Sequence, residues 1–298
     1  MNSYTRSAPA KINLTLDVGP RRPDGYHDIR SVMQTIDLCD TLTAALVSTP
    51  GVHLSVTGEE ADGVPSDAAN LVHKAAVRLQ KIAAARGTLA GNQSGMQIDL
   101  HKRIPSQAGL GGGSSDAAAT LLAVNDLLGL DLSLSRLSAV GAALGADVPF
   151  FLTGGTALAE GLGEQVTPLP AITPNWPLVI VKPPVGVSTA AAYAALDAVP
   201  SRTAGTATAR WQEDRRVLSN DFEAVVLPAF PAVAAVYRLL SETAEDAKCF
   251  RPLLCGSGSA LYLRASTPAA AEAIAIQVRA AGLGKVWVTE TVGAEIRK

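Results

Sequence analysis

IPSQAGLGGGSSDAA, residues 104–118, places four glycines in the five positions from Gly109 to Gly113, directly before a helix-forming tract. Upstream, Met96-Gln-Ile-Asp-Leu100 alternates apolar and polar residues like a strand. Downstream, Ala117-Ala-Ala-Thr-Leu-Leu-Ala-Val124 reads as helix, with Ser114 or Ser115 as its expected N-cap and Asp116 suited to the positive end of the helix dipole. The order is strand, glycine loop, helix N-terminus. Consecutive glycines cost backbone entropy, and one or two would be enough for a turn. Exposed amides beside a helix N-terminus form an anion site, and phosphate is the usual guest.

Two well-known phosphate loops are poor matches. No lysine follows the glycines, which excludes G-x-x-x-x-G-K-[ST]. The dinucleotide fingerprint fits only with Ser114 in place of its last glycine, and it would want an N-terminal βαβ unit.

With 298 residues, the chain has room for two domains and a sizeable core. A net charge of −2 gives no basic stripe for nucleic acid. No apolar run reaches membrane-spanning length, and the stretch MNSYTRSAPAKINL has no signal-peptide core, so a cytoplasmic protein is expected. Cys39, Cys249 and Cys255 make an odd set of free thiols, and His27, His53, His73 and His101 form no zinc pattern.

Strands are expected at 11–18, 29–38 and 41–47. A helix is expected at 68–86, capped by Ser66 or Asp67 and stopped by Gly87, and a further helix at 133–144. The proline-rich run from Pro168 to Pro177 marks a boundary between domains 1–167 and 168–298. Beyond it, strands at 178–182, 252–255, 261–264 and 285–290 alternate with helices at 188–196, at 211–243 (broken at Pro228 and Pro231) and at 267–281. This β-α-β-β-α-β order is that of the split, ferredoxin-like unit.

Four motifs stand in order: Pro9-Ala-Lys-Ile-Asn-Leu14, Asp24-Gly-Tyr-His27, the glycine loop, and Gly145-Ala-Asp-Val-Pro-Phe-Phe151; Cys255-Gly-Ser-Gly-Ser-Ala260 follows. Together they resemble the GHMP kinase superfamily, and within it the branch that phosphorylates a cytidine-diphosphate-linked sugar alcohol in the non-mevalonate isoprenoid pathway. The resemblance is specific from Pro9 to about Gly155 and fainter beyond.

It implies an α+β, two-domain GHMP kinase fold, with a ribosomal-protein-like N-terminal domain and a ferredoxin-like C-terminal domain. It further implies ATP as co-substrate with Mg²⁺, Asp147 as base toward the substrate hydroxyl and Lys11 as its partner. The ATP phosphates would lie on Pro105, Ser106, Gln107, Ala108, Gly109, Leu110, Gly111, Gly112, Gly113, Ser114 and Ser115, with Asn70 and Lys102 beside the adenine. Tyr26 and Tyr193 would sandwich the cytosine, with His27 at its edge through the main chain and Thr189 nearby, while Asn13 meets the polar tail. The Gly256-Ser-Gly258 turn would shape the substrate side. Gln107-Ala108 stands where some members carry further glycines. Ser114, Ser115 and Asp116 are unranked candidates for Mg²⁺.

Other readings follow from the same residues. Asp147 before Val-Pro-Phe-Phe alone reads as a turn or helix cap, and Lys11 as a lysine reaching the surface. At the level of the whole chain, the alternatives are a kinase of another small alcohol and a non-catalytic nucleotide-binding module. The expected partners are small molecules only, in a monomer or weak homodimer.

Overall fold

Lys11-Ile-Asn-Leu-Thr-Leu-Asp-Val18 alternates polar and apolar residues, the period of a strand with two distinct faces. The computed structural model describes residues 3–87, 95–199, 205–246 and 250–294. In it the segment lies in strand β1 (Ser3–Arg21), which runs antiparallel to β2 (His27–Val47). The strands expected at 29–38 and 41–47 are one long strand. It is bulged where Pro9 faces Cys39 and the register then jumps to Ala10 opposite Ile36. Proline has no N–H for the ladder, so the irregularity falls where a bond could not form.

β3 (Gly51–Thr57) and β4 (Gly95–His101) pair in parallel, and β4 joins the Thr41–Val47 part of β2. β5 (Thr156–Gly161) takes the Ile29–Gln34 part of the same edge and carries β6 (Gln165–Pro168). None of β3, β5 and β6 is among the strands expected from sequence. Helices α1 (Leu71–Ala85), α2 (Gly112–Leu127), α3 (Leu134–Ala142) and α4 (Val148–Thr153) pack into one core with this sheet through Val72, Leu79, Leu121, Leu137 and Phe150. Each such fully buried side chain contributes about 1.5–3 kcal/mol.

Two caps differ from expectation. Asn70, not Ser66 or Asp67, caps α1: its Oδ1 accepts from Val72 N at 2.9 Å, while Asp67 closes a turn onto Ala69 N. α2 starts at Gly112, so Ser114 and Ser115 lie inside its first turn, and Gly111 (φ 73°) occupies the cap position.

The second sheet is built from β7 (Pro177–Lys182) and from β9 (Leu253–Leu254), β10 (Leu261–Arg264) and β11 (Lys285–Glu290). Its order is β11-β7-β10-β9 with every pair antiparallel, as a split β-α-β unit requires. Between β7 and β9 come α5 (Thr189–Asp197), α6 (Ala207–Glu213), the short β8 (Ser219–Asn220), α7 (Glu223–Ala229) and α8 (Pro231–Asp246). α9 (Pro268–Ala281) precedes β11.

The helical stretch expected over 211–243 is thus broken well before Pro228. β8 leaves it to pair in parallel with β1, and the Asp221 carboxylate accepts from Val18 N at 2.8 Å. Ala10, Ile12 and Leu14 of β1 pack against Leu178, Ile180, Trp211 and Tyr262, so a second core ties the first sheet to the second.

Candidate active site

The glycine loop is held from both sides of a cleft of about 1110 Å³. Leu110 O accepts from Lys11 N at 2.9 Å, and the Gln107 and Ala108 carbonyls accept from Ser259 N (3.3 Å) and Ala260 N (3.1 Å). Two glycines are obligatory. A Cβ on Gly109 (φ 75°) would lie 1.8 Å from Cys255 O, and one on Gly111 would lie 2.7 Å from the Phe151 ring. A Cβ on Gly113 would meet nothing within 4 Å, so this residue leaves open space at the N-terminus of α2. Residues 105–114 all line the cleft.

Lys11 and Asn13 are two apart on β1 and therefore point the same way. The Lys11 ammonium donates to Asn13 Oδ1 at 2.8 Å and lies 3.8 Å from Asp147 Oδ2. Asn13 Oδ1 also accepts from Gly256 N (3.1 Å), and its Nδ2 donates to Ser31 Oγ (2.8 Å). The expected substrate contact is therefore first of all a bracket joining Lys11 to the Gly256-Ser-Gly258 turn. Asn220 braces that turn from below by donating to Gly256 O (2.7 Å) and Leu254 O (2.8 Å), while Thr189 Oγ1 meets Ser257 Oγ at 3.0 Å. Asp147 precedes α4 in helical backbone geometry, yet its side chain caps nothing. Its carboxylate, 29% exposed, keeps an open face toward the cleft.

At the opposite end, Lys102 borders the cleft, but two of its three protons go to carboxylates. It pairs with Asp40, and with Asp116 Oδ2 at 2.7 Å. Asn70 is equally committed, its Nδ2 donating to Pro65 O at 2.7 Å, and it is the neighbouring Leu71 that forms the wall.

The third corner is aromatic. The turn from Arg22 to Tyr26 is closed by Arg22 N donating to Tyr26 O (2.7 Å) and by Tyr26 N donating to Asp24 Oδ1 (3.1 Å), which leaves Tyr26 62% exposed at the rim. The buried His27 ring stacks on Tyr193 at 4.9 Å and 26°, and Phe222 meets Tyr193 edge-on. One face of Tyr193 is thus taken by His27, so a base sandwiched with Tyr26 has only the other face. His27 Nδ1 donates to Gly19 O (3.0 Å) and Nε2 faces Asp197 Oδ1 (3.3 Å), so both ring nitrogens are engaged within the protein. Burial pushes the Tyr193 hydroxyl up to about 12, with Asp147 adding to the shift, so this ring stays neutral.

Among the described residues, no three His, Cys, Asp or Glu side chains form a metal-binding group. Of the three serine and aspartate candidates, Ser114 faces the cleft, whereas Ser115 and Asp116 are buried. A Mg²⁺ ion held mostly by phosphate oxygens and water needs few protein ligands, and the Ser114 hydroxyl at the open end of α2 fits that requirement. Cys39 and Cys255 are free thiols, each pushed up to about 12 chiefly by burial; Cys249 lies outside the described residues. No single described helix is long and apolar enough to cross a membrane.

Sequence reasoning missed Asp40, Asn220 and Asp197. Asp40 left one signal, a charge within the otherwise strand-like run 38–47.

Comparison with known proteins adds three findings. Residues 70–155 match the family described as GHMP kinases N terminal domain. The chain is 46% identical over 267 residues to the 4-diphosphocytidyl-2-C-methyl-D-erythritol kinase of Geobacter metallireducens, covering 88% of this chain and 89% of that one. It is 43% identical over 277 residues to the protein of the same name from Moorella thermoacetica, covering 88% and 90%. A crystal structure of 4-(cytidine 5'-diphospho)-2C-methyl-D-erythritol kinase superposes with TM-score 0.79 at 33% identity, over 97% of this chain and all of that one. Homoserine kinase from Cytophaga hutchinsonii shares the fold at TM-score 0.69 and 20% identity, over 98% and 95% of the two chains.

Proposed function

The chain belongs to the 4-diphosphocytidyl-2-C-methyl-D-erythritol kinase family, and from that premise we propose that it transfers the γ-phosphoryl group of ATP to the 2-hydroxyl of that cytidine diphosphate sugar alcohol. One observation carries the reading: the Lys11–Asp147 pair, 3.8 Å apart, borders the same cleft as the glycine loop and the Tyr26–His27–Tyr193 corner.

Phosphoryl transfer asks little covalent work of a protein; positioning and charge neutralisation dominate. In this reading the loop amides and the N-terminus of α2 hold the ATP phosphates. The aromatic corner takes the cytosine, which brings the far end of the substrate to Asp147. Asp147, whose carboxylate has no hydrogen bond to break among the described residues, accepts the hydroxyl proton from a distance of ~2.6–3.2 Å. Lys11 adds positive charge beside the transferring group. Asn13 holds the ammonium in register between the two sheets. Ser114 is the residue that would touch Mg²⁺, which when bound offsets the charge of the phosphate oxygens.

The test is an ADP-release assay with purified protein, MgATP and a panel of alcohols. Turnover is expected with 4-diphosphocytidyl-2-C-methyl-D-erythritol and background rates with homoserine and mevalonate. Preferential use of either of the latter overturns the substrate assignment.

A further inference from the structure

Between its base and its acceptor hydroxyl, a cytidine diphosphate sugar alcohol carries two ionised phosphates. Three carboxylates, those of Asp147, Glu164 and Asp197, line the cleft, so a linker of that charge is repelled there unless a cation meets it. Among the described residues that line the cleft, the lysines and arginines are Lys11, Arg21 and Lys102. Lys102 is neutralised by Asp40 and Asp116, and Lys11 is held by Asn13 next to Asp147. Arg21 differs from both. Its side chain is 63% exposed, and its Nε lies 3.4 Å from Gly25 O and 3.8 Å from Asp197 Oδ2. Its two terminal nitrogens make no hydrogen bond among the described residues.

The fold puts this guanidinium beside the aromatic corner. Arg21 is the last residue of β1 and stands opposite His27 in the β1–β2 ladder, so the two side chains lie on one face. Both reach the same acid, since His27 Nε2 faces Asp197 Oδ1 at 3.3 Å. Gly25, which accepts from Arg21, directly precedes Tyr26 at the rim. The neighbouring arginines are engaged elsewhere. Arg22 donates to Asp24 (2.7 Å) and Asp28 (2.9 Å), and Arg30 donates to Glu160 (2.9 Å); neither lines the cleft.

We propose that Arg21 binds the diphosphate of the cytidine substrate; the proposal rests on the reading that the cytosine lies at the Tyr26–His27–Tyr193 corner. A guanidinium presents paired N–H donors in one plane, which matches two phosphate oxygens. Nη1 and Nη2 are the pair that remains once Nε is held by the turn and Asp197. Ring faces accept any base and say nothing about what its ribose carries. Arg21 supplies that second discrimination, between a nucleoside diphosphate and a bare nucleoside.

The test is titration calorimetry of the purified protein with CDP and with cytidine, the ATP site being filled beforehand by a non-hydrolysable MgATP analogue. The wild type should bind CDP about tenfold more tightly than cytidine, or better. Arg21→Gln should weaken CDP by about tenfold, the scale of one charge-assisted hydrogen bond, and leave cytidine affinity unchanged. Arg21→Lys, which keeps the charge but not the paired donors, should recover only part of the loss. Arg30→Gln removes a nearby charge outside the cleft and should leave the gap between CDP and cytidine as it is. CDP binding to Arg21→Gln at wild-type strength overturns the proposal. So does an equal loss of CDP and cytidine, or an equal narrowing of the gap by Arg30→Gln. A wild type that binds neither ligand is a different failure: it removes the cytidine pocket itself, and the assignment of Arg21 with it.

Discussion

Two lysines are buried at the cleft, and their surroundings give them opposite work. Lys11 has one carboxylate, at 3.8 Å, and that carboxylate is itself open to the cleft. Lys102 is in direct contact with two carboxylates that are as buried as it is. A cation with a distant, half-open partner retains field for a ligand. A cation neutralised by two close partners acts through the backbone it holds. The residue type is the same, and the difference lies in how many acids each ammonium satisfies and whether water reaches them.

This contrast is broken most severely by removing each ammonium. Lys102→Met leaves Asp40 and Asp116 without their cation, and breaking a buried pair costs ~3–5 kcal/mol; a large drop in the midpoint of urea unfolding is expected. Lys11→Met leaves Asp147 partly hydrated, so its midpoint should stay near wild type while turnover falls by ~10²-fold or more. Equal destabilisation by the two changes would mean that they play the same structural role.

Gly113→Ala sharpens the loop side of the comparison. Its site is helical and open, so alanine should stabilise the protein by ~0.5–1 kcal/mol. Thermal melting should therefore rise while MgATP affinity falls, a combination that a plain turn does not produce.

The aromatic corner should give the smaller effects. Tyr26→Ala and Tyr193→Ala should each weaken the cytidine substrate by ~1–3 kcal/mol, the scale of base stacking, with ATP affinity unchanged in titrations of both ligands. Tyr193→Ala should cost more, because it also removes the support of the His27 ring. Loss of ATP affinity instead would move the cytidine pocket elsewhere.

The glycine loop, the β1 alternation and the split β-α-β order were legible because each leaves a local pattern. The loop needs left-handed backbone at Gly109 and Gly111, and only glycine adopts it freely while leaving room for Cys255 O and Phe151. The role of Asp40 was not legible, because a carboxylate in a strand acquires meaning only from the lysine that meets it 62 residues later. β8 was hidden for a similar reason: a two-residue strand has no period, and Asn220 is defined by the distant carbonyls it binds. Lys102 borders the cleft on the side expected from sequence, but nothing in its local sequence reveals the two acids that fold onto it. For Tyr193 the helix was visible, but not that one of its faces would be taken by His27.

The most direct test of the account is the single-turnover rate of phosphoryl transfer in Asp147→Asn, with MgATP and 4-diphosphocytidyl-2-C-methyl-D-erythritol both saturating. The amide keeps the shape of the carboxylate but cannot accept the hydroxyl proton. The account predicts wild-type binding of both ligands and a transfer step slowed by ~10²–10⁴-fold. Transfer at close to the wild-type rate would contradict it and leave Asp147 as no more than a neighbour of Lys11.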